Sequence, residues 1–155
     1  RAGAFGAIFR TPSARREERE IAERARELLD YIGLGKRAGD KSRTLAYGEQ
    51  RRLEIARALA SDPRLVILDE PAGGMNDQET AALVETIRAI RDRGITVLLI
   101  EHDMRLVMNI SDRVHVLARG RTLAEGTPDQ VRSDPAVIEA YLGDHGSKEA
   151  VRAFG

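Results

Sequence analysis

Two adjacent carboxylates are the residues of this chain best suited to chemistry. Asp69 and Glu70 directly follow the apolar run Leu65–Leu68, and Pro71 prevents a strand there from continuing. Because side chains alternate along a strand, we expect the two carboxylates to point in different directions. In a phosphate-cleaving enzyme, one acid binds Mg²⁺ and the other orients the attacking water. The alternative is an Asp-Glu pair that ends a strand in solvent without a catalytic role.

The apolar segments predict how these acids are positioned. Residues 65–68 and 95–100 are apolar runs typical of parallel strands buried on both faces. A helical segment separates them, and strand, helix and strand at this spacing indicate a right-handed βαβ unit. The ends of both strands then lie at the same sheet edge, where ligands bind in such folds. His102 follows the second strand, so we expect it to lie near Glu70.

Periodicity and capping residues predict the helices. The first begins at Pro12 and ends at Gly33. A second follows Gly48, whose backbone allows a ligand to approach and precedes amides that favour an anion. Such a glycine is more often only a helix cap, so both interpretations remain. A third helix begins at Asn76, with Glu79 as its capping-box partner. The stripe of the first helix consists of Ile21, Ala25, Leu28, Leu29 and Ile32.

The C-terminal third predicts a hairpin and two short helices. Segments 113–118 and 122–125 alternate around Arg119-Gly120, as in a β-hairpin. Thr127 begins a helix with a capping box, a second helix follows, and a polar tail is expected from Gly143.

The composition excludes several classes of protein. The chain has 155 residues, which suits one domain, and 25 basic against 25 acidic residues give no net charge. There is thus no general attraction to nucleic acid or to an acidic membrane surface. The absence of cysteine excludes disulfides and thiolate metal sites. No apolar run approaches the ~20 residues of a membrane helix. The first residue is Arg1 instead of Met, and we expect an incomplete protein.

Four motifs, in the correct order over residues 45–103, resemble those of the ATP-binding subunit of an ABC transporter. They are a signature loop (Leu45, Ala46, Tyr47, Gly48 and Glu49), a Walker B strand (Leu65 to Glu70), a D-loop (Pro71 to Asn76, including Gly73, Gly74 and Met75) and a switch histidine (His102). Leu-Ala-Tyr-Gly and Ile-Glu-His-Asp-Met more specifically resemble the ATPases of high-affinity branched-chain amino acid importers. The alternative relative is the lipopolysaccharide-export ATPase, which usually keeps Ser-Gly-Gly in the signature.

The resemblance implies an α/β fold, namely the C-terminal part of an ABC-type P-loop NTPase domain with a parallel RecA-like sheet and flanking helices. Residues 1–44 would be the remainder of the helical subdomain, 45–126 the catalytic core, and 127–155 C-terminal helices and a tail. No Gly-x-x-x-x-Gly-Lys-Ser/Thr loop occurs in the sequence, so the β- and γ-phosphates have no cradle here. Ala46 also lacks the hydroxyl that a signature Ser offers.

The resemblance also assigns cofactors, roles and partners. ATP and Mg²⁺ would be bound, with Asp69 reaching the metal through water, Glu70 polarising the attacking water and His102 sensing the γ-phosphate. The signature loop would contact ATP held by the other subunit. Partners would be a second ABC ATPase subunit, in a homo- or heterodimer, and transmembrane permease subunits, with a periplasmic or extracellular binding protein acting indirectly. The subunit would lie on the cytoplasmic face of the bacterial inner membrane. A non-catalytic, truncated interaction module is the competing class.

Overall fold

The structure, a computed structural model, describes residues 12–145, with side chains described as far as residue 140. Two 3-10 turns, at 35–37 and 42–44, lie between the first two α-helices. None of the helices in the described range has the length and apolarity to cross a bilayer.

In chain order the elements are α1 (Pro12–Tyr31), α2 (Tyr47–Leu59), β1 (Leu65–Asp69), α3 (Asp77–Asp92), β2 (Thr96–Ile100), α4 (Met104–Ile110), β3 (Val114–Ala118), β4 (Arg121–Gly126), α5 (Pro128–Arg132) and α6 (Pro135–His145).

The chain divides into two compact units. Among the described residues, one contains 12–66 together with 74–97, and the other contains 67–73 together with 98–145. The subdomain boundaries at residues 44 and 126 stay predictions. The residues before 12 and after 145 lie outside the described part of the chain.

The predicted βαβ unit is confirmed. β1 and β2 are hydrogen-bonded neighbours, and α3 separates them in the chain. The amide of Thr96 donates to the carbonyl of Arg64 at 3.0 Å, and the amide of Glu70 donates to the carbonyl of Ile100 at 2.9 Å. The residue numbers rise together along the two strands, from the Arg64–Thr96 bond to the Glu70–Ile100 bond. The strands are therefore parallel, and their carboxyl ends lie at one edge of the sheet.

The prediction that these strands are buried on both faces is wrong for the described residues. Val66 and Leu68 are buried, whereas Leu65 and Ile67 are 50% and 58% exposed. The alternation follows the strand period of two, so only one face of β1 is covered. β2 likewise leaves Leu98 and Ile100 exposed.

The apolar stripe predicted for α1 is buried only at its C-terminal end. Ile32 is buried and Leu28 is half-buried, but Ile21 is 63% exposed. Ile21 lines an open groove of about 790 Å³ in the first unit, together with acidic residues of α1 such as Glu17 and Glu20. The middle of α1, from Ile21 to Ala25, therefore leaves its apolar stripe exposed among the described residues.

The second unit has its own small core beneath the predicted hairpin. β3 and β4 pair antiparallel, and Arg119 and Gly120 form the two-residue turn with φ of 51° and 74°. Positive φ at both positions is the geometry of a type I′ turn, which matches the twist of a hairpin. The core cluster consists of Met108, Val114, Val131 and Val137.

The predicted helix starts are confirmed. Asn76 Oδ1 accepts from the amide of Glu79 at 3.0 Å, and Thr127 accepts from the amide of Gln130. The tail predicted from Gly143 begins too early, because the helix continues through Gly143 to His145, three residues beyond the predicted end.

Replacing Gly120 with Ala should lower the free energy of unfolding by about 1 kcal/mol, because an L-residue is strained at its φ of 74°. Gly39→Ala is the matched control, since a Cβ added at either position meets no atom within 4 Å and Gly39 has no positive φ. Urea unfolding of both variants measures the difference. Equal stability of the two variants would contradict the assigned turn geometry.

Candidate functional site

The carboxyl end of β1 holds the two acids predicted to do chemistry. β1 ends at Asp69, whose side chain is exposed. Glu70 follows with a φ of 42°, in the left-handed region that non-glycine residues rarely occupy. Its amide still bonds to Ile100, so strand pairing continues for one residue before the chain turns. The turn leaves the Glu70 carboxylate exposed at the sheet edge.

His102 lies beside Glu70, as the sequence predicts. Its Nδ1 is 3.7 Å from Glu70 Oε1, and both side chains are largely exposed. This distance is too long for a direct hydrogen bond, and a polar pair at such a separation suits a bridging water. The edge therefore presents a carboxylate and an imidazole side by side, which are groups that can orient a water molecule and contact a phosphate.

Glu101 is a residue of the site that sequence reasoning missed. Its side chain is only 1% exposed. Oε1 accepts from the amide of Ala72 at 3.0 Å, and Oε2 accepts from the amide of His102 at 3.2 Å. This buried carboxylate thus connects the segment after Glu70 to the segment that carries His102. The strand period offered a signal, since Glu101 falls on the same face as Leu99, opposite to the exposed Ile100.

The predicted signature loop forms the start of α2. Leu45 is buried, and Ala46 is the N-cap residue in an extended conformation. Alanine has no side-chain acceptor, so it cannot cap the free amides of the first turn. Glu49 Oε2 accepts from the amide of Ala46 at 3.0 Å. The amide of Gly48 instead donates to Oε1 of Glu79, at 3.2 Å.

This contact changes the interpretation of Gly48. The sequence suggested that the glycine lets a ligand approach the backbone. In the structure, a Cβ on Gly48 would lie 3.0 Å from Cβ, Cγ and Cδ of Glu79. The missing side chain therefore makes room for Glu79, and the amide expected to face a phosphate already has an anionic partner.

The predicted D-loop follows Glu70 through a tight turn. The amide of Gly73 donates to the carbonyl of Glu70 at 3.2 Å. Gly74 has a φ of 77°, Met75 is partly buried, and Asn76 is the N-cap of α3. This φ favours glycine at position 74, because residues with a Cβ are strained there.

Tyr47, the unusual residue of the signature loop, is held by two contacts. Its ring lies 3.5 Å from the point where a Cβ on Gly74 would sit. The Arg51 guanidinium lies 5.4 Å from the ring centroid and donates to the Tyr47 hydroxyl at 3.0 Å. The hydrogen bond to Glu54, and after it the hydrogen bond to Tyr47, raises the pKa of Arg51. Tyr47 is therefore part of an ordered surface next to the D-loop glycine.

The donor set fits Mg²⁺ only when other ligands accompany it. No group of three His, Asp or Glu side chains in the described part of the chain could hold a metal. Mg²⁺ in nucleotide sites is usually bound by one or two carboxylates together with phosphates and water. Asp69, a single exposed carboxylate at the strand end, matches that requirement.

Two family models match the sequence. The model described as "ABC transporter" matches residues 5–73, and "Branched-chain amino acid ATP-binding cassette transporter" matches residues 121–147. The first match includes the signature loop and the two acids, and the second begins with β4.

The chain is similar to two curated transport proteins. It is 50% identical over 143 residues to the high-affinity branched-chain amino acid transport ATP-binding protein LivG of Escherichia coli. The matched region covers 92% of this chain and 56% of LivG. It is 51% identical over 138 residues to BraF of Pseudomonas aeruginosa, a protein with the same description. That matched region covers 88% of this chain and 54% of BraF. The chain therefore spans just over half the length of these relatives.

A solved structure shares the fold. The ADP conformation of an ATP-binding cassette of an ABC transporter superposes with a TM-score of 0.75 at 32% identity. The match covers 81% of this chain and 51% of that one. The predicted α/β fold class is confirmed.

Removing the Glu101 carboxylate should destabilise the turn that carries the site. Glu101→Ala leaves the amides of Ala72 and His102 without their acceptor, and an unsatisfied buried group costs about 1–3 kcal/mol. Glu101→Gln should cost less, because one side-chain oxygen remains as an acceptor. Urea unfolding should show no comparable loss for Glu139→Ala, which removes an exposed carboxylate. Equal midpoints for the two alanine variants would refute the bridging role.

Proposed function

Since this chain belongs to the ABC transporter family of ATP-binding proteins, we propose that it is the C-terminal part of a subunit that hydrolyses ATP to energise the import of branched-chain amino acids. The observation that carries the proposal is the pairing of Glu70 with His102, 3.7 Å apart at the carboxyl edge of two parallel strands. The similarity to LivG and BraF supports the transported class.

The site residues divide the chemistry among them. When bound, Mg-ATP supplies the bond that hydrolysis breaks and the metal charge that neutralises the phosphates. Asp69, at the end of β1, would hold the metal through a bridging water molecule. Glu70 would accept a hydrogen bond from the attacking water and orient it as a general base. His102, beside Glu70, would donate to the γ-phosphate and so report whether that phosphate is present.

The signature loop, Leu45–Glu49, would act on the ATP bound by a second subunit. Helix amides and the helix dipole at the start of α2 favour a phosphate there. The Gly48 amide is the donor suited to this contact, once Glu79 no longer occupies it. The complete assembly would then contain a second ATPase subunit and transmembrane permease subunits, at the cytoplasmic face of the bacterial inner membrane, with a binding protein acting indirectly.

In a complete subunit that carries a P-loop, Glu70→Gln should lower ATP turnover about 10²–10⁴-fold and leave nucleotide affinity unchanged. Glutamine keeps the shape of the side chain but cannot accept the proton of water. Phosphate release and nucleotide affinity should be measured on the same preparation. Glu27→Gln, which alters an exposed carboxylate on α1, serves as the control. Wild-type turnover in Glu70→Gln would remove Glu70 from the mechanism.

The 155-residue chain by itself should bind Mg-ATP poorly or not at all. Most of the phosphate affinity of this fold comes from a backbone cradle and a lysine, and the sequence contains no such loop. The exposed apolar side chains of β1 and β2 should also make the isolated chain prone to associate.

Calorimetric titration compares the 155-residue chain with a longer chain that adds a P-loop segment. Micromolar affinity of the short chain would overturn the binding prediction. Absence of ATP hydrolysis in the longer chain would overturn the proposed function and favour a non-catalytic interaction module.

A further inference from the structure

Glu79 uses both of its carboxylate oxygens on backbone amides from two different segments. Oε1 accepts from the amide of Gly48 at 3.2 Å, and Oε2 accepts from the amide of Asn76 at 3.1 Å. The amide of Glu79 itself donates to Asn76 Oδ1 at 3.0 Å. One side chain thus caps α3 and also binds the first turn of α2.

The sequence explains why the first turn of α2 accepts this partner. Its N-cap is Ala46, which has no acceptor, so the amide of Gly48 needs one from elsewhere. The positive end of the helix dipole favours a negative charge at that point. The missing Cβ of Gly48 lets the Glu79 side chain approach, since a Cβ there would lie 3.0 Å from three of its carbons.

A second contact joins the same two segments. The Tyr47 ring packs beside Gly74, 3.5 Å from the position of a Cβ on that glycine. Tyr47 directly precedes Gly48, and Gly74 lies two residues before Asn76. The loop before α2 and the loop before α3 are therefore held together at two points, one polar and one aromatic.

We propose that Glu79 is a positioning residue that occupies the Gly48 amide while no nucleotide is bound there and must release it when a phosphate of the second subunit's ATP arrives. This inference rests on the proposed function. Carboxylate and phosphate are both anions, and both would accept a hydrogen bond from the Gly48 amide at the positive end of the helix dipole. Binding of one therefore excludes the other. After release, Oε2 retains the amide of Asn76, and the cap of α3 persists.

A purely structural role makes a different prediction. If Glu79 only caps α3, its replacement lowers stability and leaves the ATP requirement for dimer closure unchanged. Glu79→Gln separates the two roles, because glutamine also serves as a capping-box partner. The variant has one acceptor oxygen instead of two and no charge to oppose a phosphate.

The test uses the complete subunit with Glu70→Gln, which prevents hydrolysis from reopening the dimer. Light scattering gives the ATP concentration for half-maximal dimerisation. Glu79→Gln should lower that concentration about two- to fivefold, the effect of one charge at a helix N-terminus. Nucleotide affinity of the monomer should stay the same. The matched control is Glu85→Gln on the same helix, because Glu85 is 72% exposed and pairs with Arg88.

Amide hydrogen exchange without nucleotide tests the contact itself. The Gly48 amide should exchange faster in Glu79→Gln, while the amides within α3 keep their protection. Unchanged exchange at Gly48, or an unchanged ATP requirement in a variant that dimerises, would overturn the role of Glu79 and leave the proposed function intact. Failure of ATP to dimerise any variant, Glu85→Gln included, would overturn the proposed function and this inference with it.

Discussion

The site depends on the parallel pairing of β1 and β2. The hydrogen bond from the amide of Glu70 to the carbonyl of Ile100, at 2.9 Å, continues that pairing past the end of β1. It fixes two carboxyl ends, about thirty residues apart in the chain, at one sheet edge. This pairing is what brings Glu70 and His102 next to each other. The left-handed φ of Glu70 then turns the chain away and exposes the carboxylate to a ligand.

Buried or half-buried carboxylates hold loops together within each of the two units. Glu101 binds the amides of Ala72 and His102, and Glu79 binds those of Gly48 and Asn76. In both cases one carboxylate satisfies two amides from different segments. A charged acceptor gives stronger hydrogen bonds than a neutral one, and two bonds from one rigid group fix the distance between the segments. The loops that would contact nucleotide are therefore positioned by acids that would not touch it.

The first turn of α2 shows how one substitution changes the role of its neighbours. An N-cap with a hydroxyl would satisfy an amide within its own loop. Ala46 cannot, and a carboxylate from α3 takes the position. The anion preference of the helix start is the same property that would attract a phosphate, so the internal acid and the proposed ligand compete for one donor.

The sequence alone determined the strands, the helix starts and the hairpin turn, because these depend on short-range properties. Apolar runs, the Asn76–Glu79 and Thr127–Gln130 capping boxes and Arg119-Gly120 act through residues a few positions apart. The parallel order of β1 and β2 also followed, since two neighbouring strands joined through a helix are typical of a parallel pair. From this, the approach of His102 to Glu70 was predictable.

Only the tertiary structure decided which groups pair across the chain. Nothing local in the sequence links Gly48 to Glu79, thirty-one positions away, or Ala72 to Glu101. Such contacts depend on how helices and loops pack, and a carboxylate can be solvated, paired or buried without a change in its local pattern. Burial on both faces of β1 was likewise predicted from an apolar run, but whether a face is covered depends on what packs against it, and in the described residues one face is not.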